Sequence, residues 1–204
     1  MTSAAQTAQP PQVDWRVIVS GGAILGVVTA IGVVVFARLA RTLDGSSETA
    51  ALSVLVLVGG LVFAYFPSTR YAPREVDSIA WVALIGLMGA LFFTFIDTAV
   101  LRPLDTYSWR WDAIGGGSGL WYIPVWWMGS ALLAGLGAWT VANTARSGAA
   151  SVPVVVAITA VIAIVIAAIL VVSGIVSFSP AGVALALTIG LVLHVPLSAV
   201  MHRG

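Results

Sequence analysis

Six long apolar runs divide the 204-residue chain. A helix rises about 1.5 Å per residue, so roughly 20 apolar residues cross the roughly 30 Å of hydrocarbon in a bilayer. The backbone is satisfied in lipid only by helices or closed barrels, and these runs lack the alternating pattern of barrel strands. The sequence therefore predicts an all-α integral membrane protein, a polytopic bundle of about six transmembrane helices. The predicted spans are approximately 17–36, 50–66, 78–101, 120–143, 152–172 and 181–201.

The composition also indicates that most of the chain is surrounded by the hydrocarbon of a membrane. Hydrophobic residues make up 60% of the chain and charged residues only 8%, far less charge than a soluble domain carries. All nine positive side chains are arginine, which excludes a retinal Schiff base and a lysine nucleophile. The absence of cysteine excludes iron–sulfur clusters and thiolate metal sites. A net charge of +1 gives no basic surface for nucleic acid.

The chain is predicted to form one membrane domain over residues 15–204. Residues 1–14 are polar and contain prolines, which predicts a disordered N-terminal tail. Proline marks further boundaries, since Pro67 is predicted to end the second span and Ser179-Pro180 to begin the sixth.

The arginines divide almost evenly between the two faces of the predicted bundle. Six spans place both termini on one face, where five arginines lie, against four on the other. The positive-inside rule therefore gives little bias. The second face carries an uncharged turn at 174–179 and an aromatic connector, so we expect it to be external. We thus expect cytoplasmic termini and a prokaryotic cell membrane.

The connector between the third and fourth spans concentrates the unusual residues. Three interpretations of its aromatic residues are open: an interfacial belt, a platform for a flat or polyisoprenoid ligand, and a protein interface. Tyr122 and Trp126 are four residues apart and would share a helical face, as ring stacking on a ligand requires. The candidate ligand-binding or interface residues are Trp109, Trp111, Trp121, Tyr122, Trp126 and Trp127.

Asp97 and His194 are the intramembrane polar candidates. Asp97 lies one turn before the end of the third span, where it could pair with Arg102 or Arg110 or handle protons. Helix polarity places His194 more than about 10 Å from it in depth, so the two are not expected to form an acid–base pair.

Two interpretations of His194 are open, namely a bond to a neighbouring helix or axial ligation of a chlorin or haem. His202 lies eight residues further on, rotated by about 80° and beyond the span. A bis-histidine haem within the chain is therefore excluded, and no catalytic residue or protein metal site is predicted.

Two further features describe how the spans pack. Gly22 and Gly26 have the GxxxG spacing that lets helices approach closely. The fifth span contains a single polar residue, Thr159, and is otherwise apolar on every side. Such a helix faces lipid or another apolar subunit.

We expect a non-catalytic accessory or scaffold subunit of a larger membrane complex, possible settings being respiration and photosynthesis. Its expected partners are membrane lipids and other membrane protein subunits. An alternative is a membrane-embedded enzyme or binder of an isoprenoid, carotenoid or quinone, and a third is a small membrane transporter. A lipid, quinone, carotenoid or chlorin is the candidate bound molecule.

Overall fold

The computed structural model describes residues 13–107, 122–146 and 151–200, and all regular elements in these ranges are helical. Each of the six main helices is long and apolar enough to cross a membrane, which confirms the predicted six-helix bundle. A π-helical turn, Asp97–Leu101, extends the third helix. The helices are α1 (Trp15–Thr42), α2 (Gly45–Arg70), α3 (Val76–Ile96), α4 (Tyr122–Arg146), α5 (Val152–Val172) and α6 (Pro180–Val200).

Side chains satisfy exposed amides at three helix starts. Asp14 accepts a bond from the backbone N–H of Arg16 at 3.0 Å, and Glu75 and Ser78 form a capping box at the start of α3. Ser179 Oγ accepts from the N–H of Gly182 at 3.1 Å, so α6 begins at Pro180 as predicted.

The prediction that Pro67 ends the second span is wrong, because α2 continues to Arg70. Proline removes only its own bond to the carbonyl one turn earlier. Only three helical residues follow Pro67, and the carbonyl of Pro67 accepts the N–H of Tyr71 at 3.1 Å. A proline in the last turn of a membrane helix therefore costs little enough for the helix to continue.

Helices α1 and α3 run parallel and pack more extensively than any other pair of described helices. The rings of Trp15 and Trp81 meet edge to face at 5.9 Å near the start of both helices. Further along, a Cβ built on Gly22 would lie 2.4 Å from the Cβ of Met88. Glycine at this position lets the two backbones approach, as the GxxxG spacing indicates.

Helices α2 and α4 make the closest backbone approach of this kind. A Cβ built on Gly137 would lie only 2.0 Å from the carbonyl oxygen of Ala64. This contact belongs to an apolar core shared by α2, α4, α5 and α6, and the buried members of this core include Tyr65 and Leu191. A smaller core joins α1 to α3 through Ala30 and Phe93.

Candidate functional site

A buried polar network joins four helices within the larger core. Thr159 Oγ1 of α5 lies 2.7 Å from Nδ1 of His194 on α6 and also bonds the hydroxyl of Tyr65 on α2. Thr140 of α4 contacts the same tyrosine hydroxyl at 3.2 Å. Both threonines are fully buried, and His194 is only 3% exposed. We refer to Tyr65, Thr140, Thr159 and His194 as the four-helix network.

A second set of polar contacts lies closer to the membrane face at which α1 begins and α6 ends. Asn143 Nδ2 donates to the carbonyl of Val195 and to Ser198 Oγ, both at 3.1 Å. Within α4, the Thr144 hydroxyl donates to the carbonyl of Thr140 at 2.7 Å. These contacts tie α4 to α6 between the four-helix network and that face.

Asp97 forms a separate cluster near the opposite face. Its carboxylate is 3% exposed and makes an ion pair with Arg102, whose Nε lies 2.9 Å from Oδ2. The Tyr107 hydroxyl donates to the other carboxylate oxygen. The aspartate therefore has both a cation and a phenol as partners.

The segment after Asp97 is held in place by backbone bonds as well. Within the π-helical turn, the N–H of Arg102 bonds the carbonyl of Asp97 at 2.9 Å. Beyond the turn, Arg41 Nη2 donates to the carbonyl of Asp105 at 3.1 Å, and Asp105 has a positive φ of 46°. The end of α1 thus contacts the chain that leaves α3.

Tyr107 is expected to show an unusual titration. Burial raises its pKa to about 12, and the bond and negative charge of Asp97 act in the same direction. The folded-state pKa is therefore above the ordinary value of about 10. The stability contributed by neutral Tyr107 should be complete below a pH of about 10 and lost as the pH rises through about 12.

A pH titration followed by the ultraviolet absorbance of tyrosinate tests this expectation. The titration curve of Tyr107→Phe is subtracted from that of the native protein, which leaves the contribution of Tyr107. The difference should titrate near the raised pKa of about 12. In an Asp97→Asn background, the same difference should move toward lower pH because the carboxylate charge is gone. A difference curve centred at the ordinary tyrosine pKa would contradict the Asp97–Tyr107 contact.

Two of the candidate aromatic residues contact neighbouring helices of the bundle. Trp126 meets the rings of Phe63 at 6.2 Å and Phe93 at 5.8 Å. Trp127 Nε1 donates to Thr94 Oγ1 at 3.2 Å. These tryptophans therefore join α4 to α2 and α3, although Trp126 keeps 36% of its surface exposed.

The other aromatic candidates cannot be placed in the same way. Trp109, Trp111 and Trp121, together with the candidate ion-pair residue Arg110, lie outside the described residues. Tyr122 begins α4. The predicted Tyr122–Trp126 platform and the predicted Arg110 pairing remain predictions.

The structure assigns Asp97 and His194 to two separate clusters, and it adds partners that the sequence analysis missed. Tyr65 lies at the end of an apolar run, so the sequence did not single it out. A tyrosine among apolar residues nevertheless indicates a buried hydroxyl that needs a partner. Asn143 and Ser198 also lie near the ends of apolar runs, so the sequence did not single them out either. Tyr107 follows the third span, and no pattern in the sequence predicts that its hydroxyl would bond the Asp97 carboxylate.

No protein-family model, curated protein or solved structure matches the chain.

Proposed function

We propose that the protein is a non-catalytic accessory or scaffold subunit of a larger, energy-transducing membrane assembly in a prokaryotic cell. The main support for this proposal is that buried polar side chains form hydrogen bonds between helices. Tyr65, Thr140, Thr159 and His194 come from four different helices and bond one another. Polar side chains that bridge membrane helices in this way commonly stabilise packing.

The Asp97 cluster supports the same proposal. An intramembrane carboxylate is a functional candidate by default, but this one is paired with Arg102 and bonded by Tyr107. Its partners fix the chain where it leaves α3. An aspartate engaged on both oxygens is suited to holding structure.

The outward surface of α5 supports an assembly role. This helix has the smallest buried share of the six spans and packs mainly on α6. Its exposed side chains are apolar, as lipid or a neighbouring apolar helix requires. They include Val154, Val161, Ile164, Val165 and Ile169.

A second candidate function, binding of a flat or polyisoprenoid ligand, is favoured by one observation. Trp126 meets Phe63 edge to face and Phe93 at a tilt, while part of its surface stays exposed. A ligand ring could extend this set by a further edge-to-face or offset contact. A quinone, carotenoid or chlorin has the required flat or extended apolar shape.

Purification of the native protein in mild detergent tests both candidates. A scaffold subunit should co-purify with other membrane proteins and migrate on a native gel as a large complex. Val161→Trp, on the outward surface of α5, should shrink that complex, whereas Val58→Trp, on the exposed surface of α2, serves as the matched control.

A single chain that migrates alone and carries a pigment or quinone would reject the subunit proposal in favour of ligand binding. Trp126→Ala should then reduce the amount of bound molecule without changing the migration of the protein. Loss of the complex in Val161→Trp and Val58→Trp alike would show that the effect is not specific to the outward surface of α5, and it would remove this support for the subunit proposal.

A further inference from the structure

The Thr159 hydroxyl contacts three polar atoms but has only one proton to donate. Its partners are the carbonyl of Val155 at 3.0 Å, Nδ1 of His194 at 2.7 Å and the hydroxyl of Tyr65. A carbonyl can only accept, and a helical threonine commonly donates to the carbonyl one turn earlier, so we assign the threonine proton to Val155. With the proton there, Tyr65 and His194 both donate to Thr159, and Thr140 donates to Tyr65.

This assignment determines the tautomer of the imidazole. Nδ1 carries the hydrogen, and in the neutral ring Nε2 is left with a lone pair. The described bonds of the four-helix network do not involve Nε2. A proton can therefore bind at Nε2 without breaking the bond between Nδ1 and Thr159.

Polar groups lead from this site toward the face at which α6 ends. His194 lies six residues before the end of α6 at Val200, or about 9 Å along the helix axis. Ser198 is one turn further on and is bonded by Asn143. Ser68, one turn after Tyr65 on α2, is buried, and its hydroxyl has no partner among the described residues. Water entering from this face would meet hydrogen-bonding groups.

We propose that Nε2 of His194 is a proton-binding site, reached from the face at which α1 begins and α6 ends, and that proton uptake loosens the four-helix network. This site goes beyond the proposed scaffold role. The ligand is a proton because His194 is almost completely buried, and a proton needs no cavity.

The surrounding charges explain why proton uptake would loosen the bundle. Tyr65 is the second titratable group in the network, and apart from His194 no residue within the described spans of α5 and α6 is titratable. Arg70 and Arg146 end α2 and α4 on the same face, whereas Asp97 belongs to the separate cluster. The described side-chain contact of His194 is with a threonine and not with a carboxylate, so hydration is the relief available to the imidazolium.

Nitrogen NMR of the full chain in lipid nanodiscs tests the site. Histidine is labelled in a His202→Gln variant, so that His194 alone is observed. At pH 8.5 the spectrum should show Nδ1–H and a bare Nε2, and lowering the pH toward 4.5 should protonate Nε2. Thr159→Val should allow both neutral tautomers. An Nε2–H tautomer at high pH, or no protonation before unfolding, would overturn the proposal.

Labelling of a single cysteine tests the loosening, because the chain has no native cysteine. Ser68→Cys is nearly isosteric and breaks no described side-chain bond. A water-soluble thiol reagent should label it several-fold faster at pH 5 in the native His194 background than in a His194→Gln background. The ratio between backgrounds cancels the intrinsic pH dependence of the thiol. Equal rates in both backgrounds would refute proton-driven loosening.

Discussion

Gly137→Ala should destabilise the bundle by about 1–3 kcal/mol, the usual cost of overpacking a well-packed core. The added Cβ would lie 2.0 Å from the carbonyl oxygen of Ala64. Both atoms belong to helix backbone, or are attached directly to it, so no flexible side chain can move away. Helices α2 and α4 must separate instead. The separation would also draw Thr140, one turn further along α4, away from Tyr65.

Denaturant-driven unfolding in mixed micelles measures this effect. Gly59→Ala is the matched control, because a Cβ there meets nothing within 4 Å. Replacing an unconstrained helical glycine by alanine should be neutral or stabilise by roughly 0.5–1 kcal/mol. If Gly137→Ala is as stable as this control, α2 and α4 do not meet at Gly137.

Thr159→Val should lower the free energy of unfolding by on the order of 1–2 kcal/mol. Two cross-helix bonds are lost, and a hydrogen bond between membrane helices averages about 0.6 kcal/mol. Valine has nearly the shape of threonine, so the packing of α5 is retained. The larger part of the cost arises because Tyr65 and His194 lose the acceptor to which both donate, and an unsatisfied buried donor costs about 1–3 kcal/mol when no relaxation occurs.

Thr188→Val separates the network from the general loss of a hydroxyl. Thr188 is half-buried on α6, and its hydroxyl bonds only the carbonyl of Ala184 in its own helix. This variant should change the unfolding free energy by about a few tenths of a kcal/mol, because it removes no bond between helices. A double-mutant cycle with Tyr65→Phe should show coupling to Thr159 and none to Thr188.

The spans could be predicted from the sequence because hydrocarbon imposes a length and an apolar composition on every crossing helix. The ends of helices were predictable only in part. Ser179 and Pro180 supply local capping chemistry, so the start of α6 followed from adjacent residues. Pro67 is locally a helix breaker, but its effect depends on how many residues follow it, and α2 continues beyond it.

The sites were harder to predict than the spans, because they depend on which helices become neighbours. The exposed and buried faces of α5 have nearly the same apolar composition, so the sequence did not show that Thr159 would meet both Tyr65 and His194. Arg102 could be named as a partner of Asp97 because it is close in the chain. Tyr107 could not, because its position depends on the path after α3.

The π-helical turn at Asp97–Leu101 makes the end of α3 sensitive to the number of residues it contains. In an α-helix, residues five apart point about 140° away from each other. The wider turn, closed by the N–H of Arg102 on the carbonyl of Asp97, brings this pair onto one side. The turn thus accommodates one residue more than a regular helix would. Loss of a single residue there would leave a continuous helix but turn a different side chain toward Asp97. Insertions and deletions at this turn are therefore a route by which related chains could exchange the partner of the aspartate without altering the span.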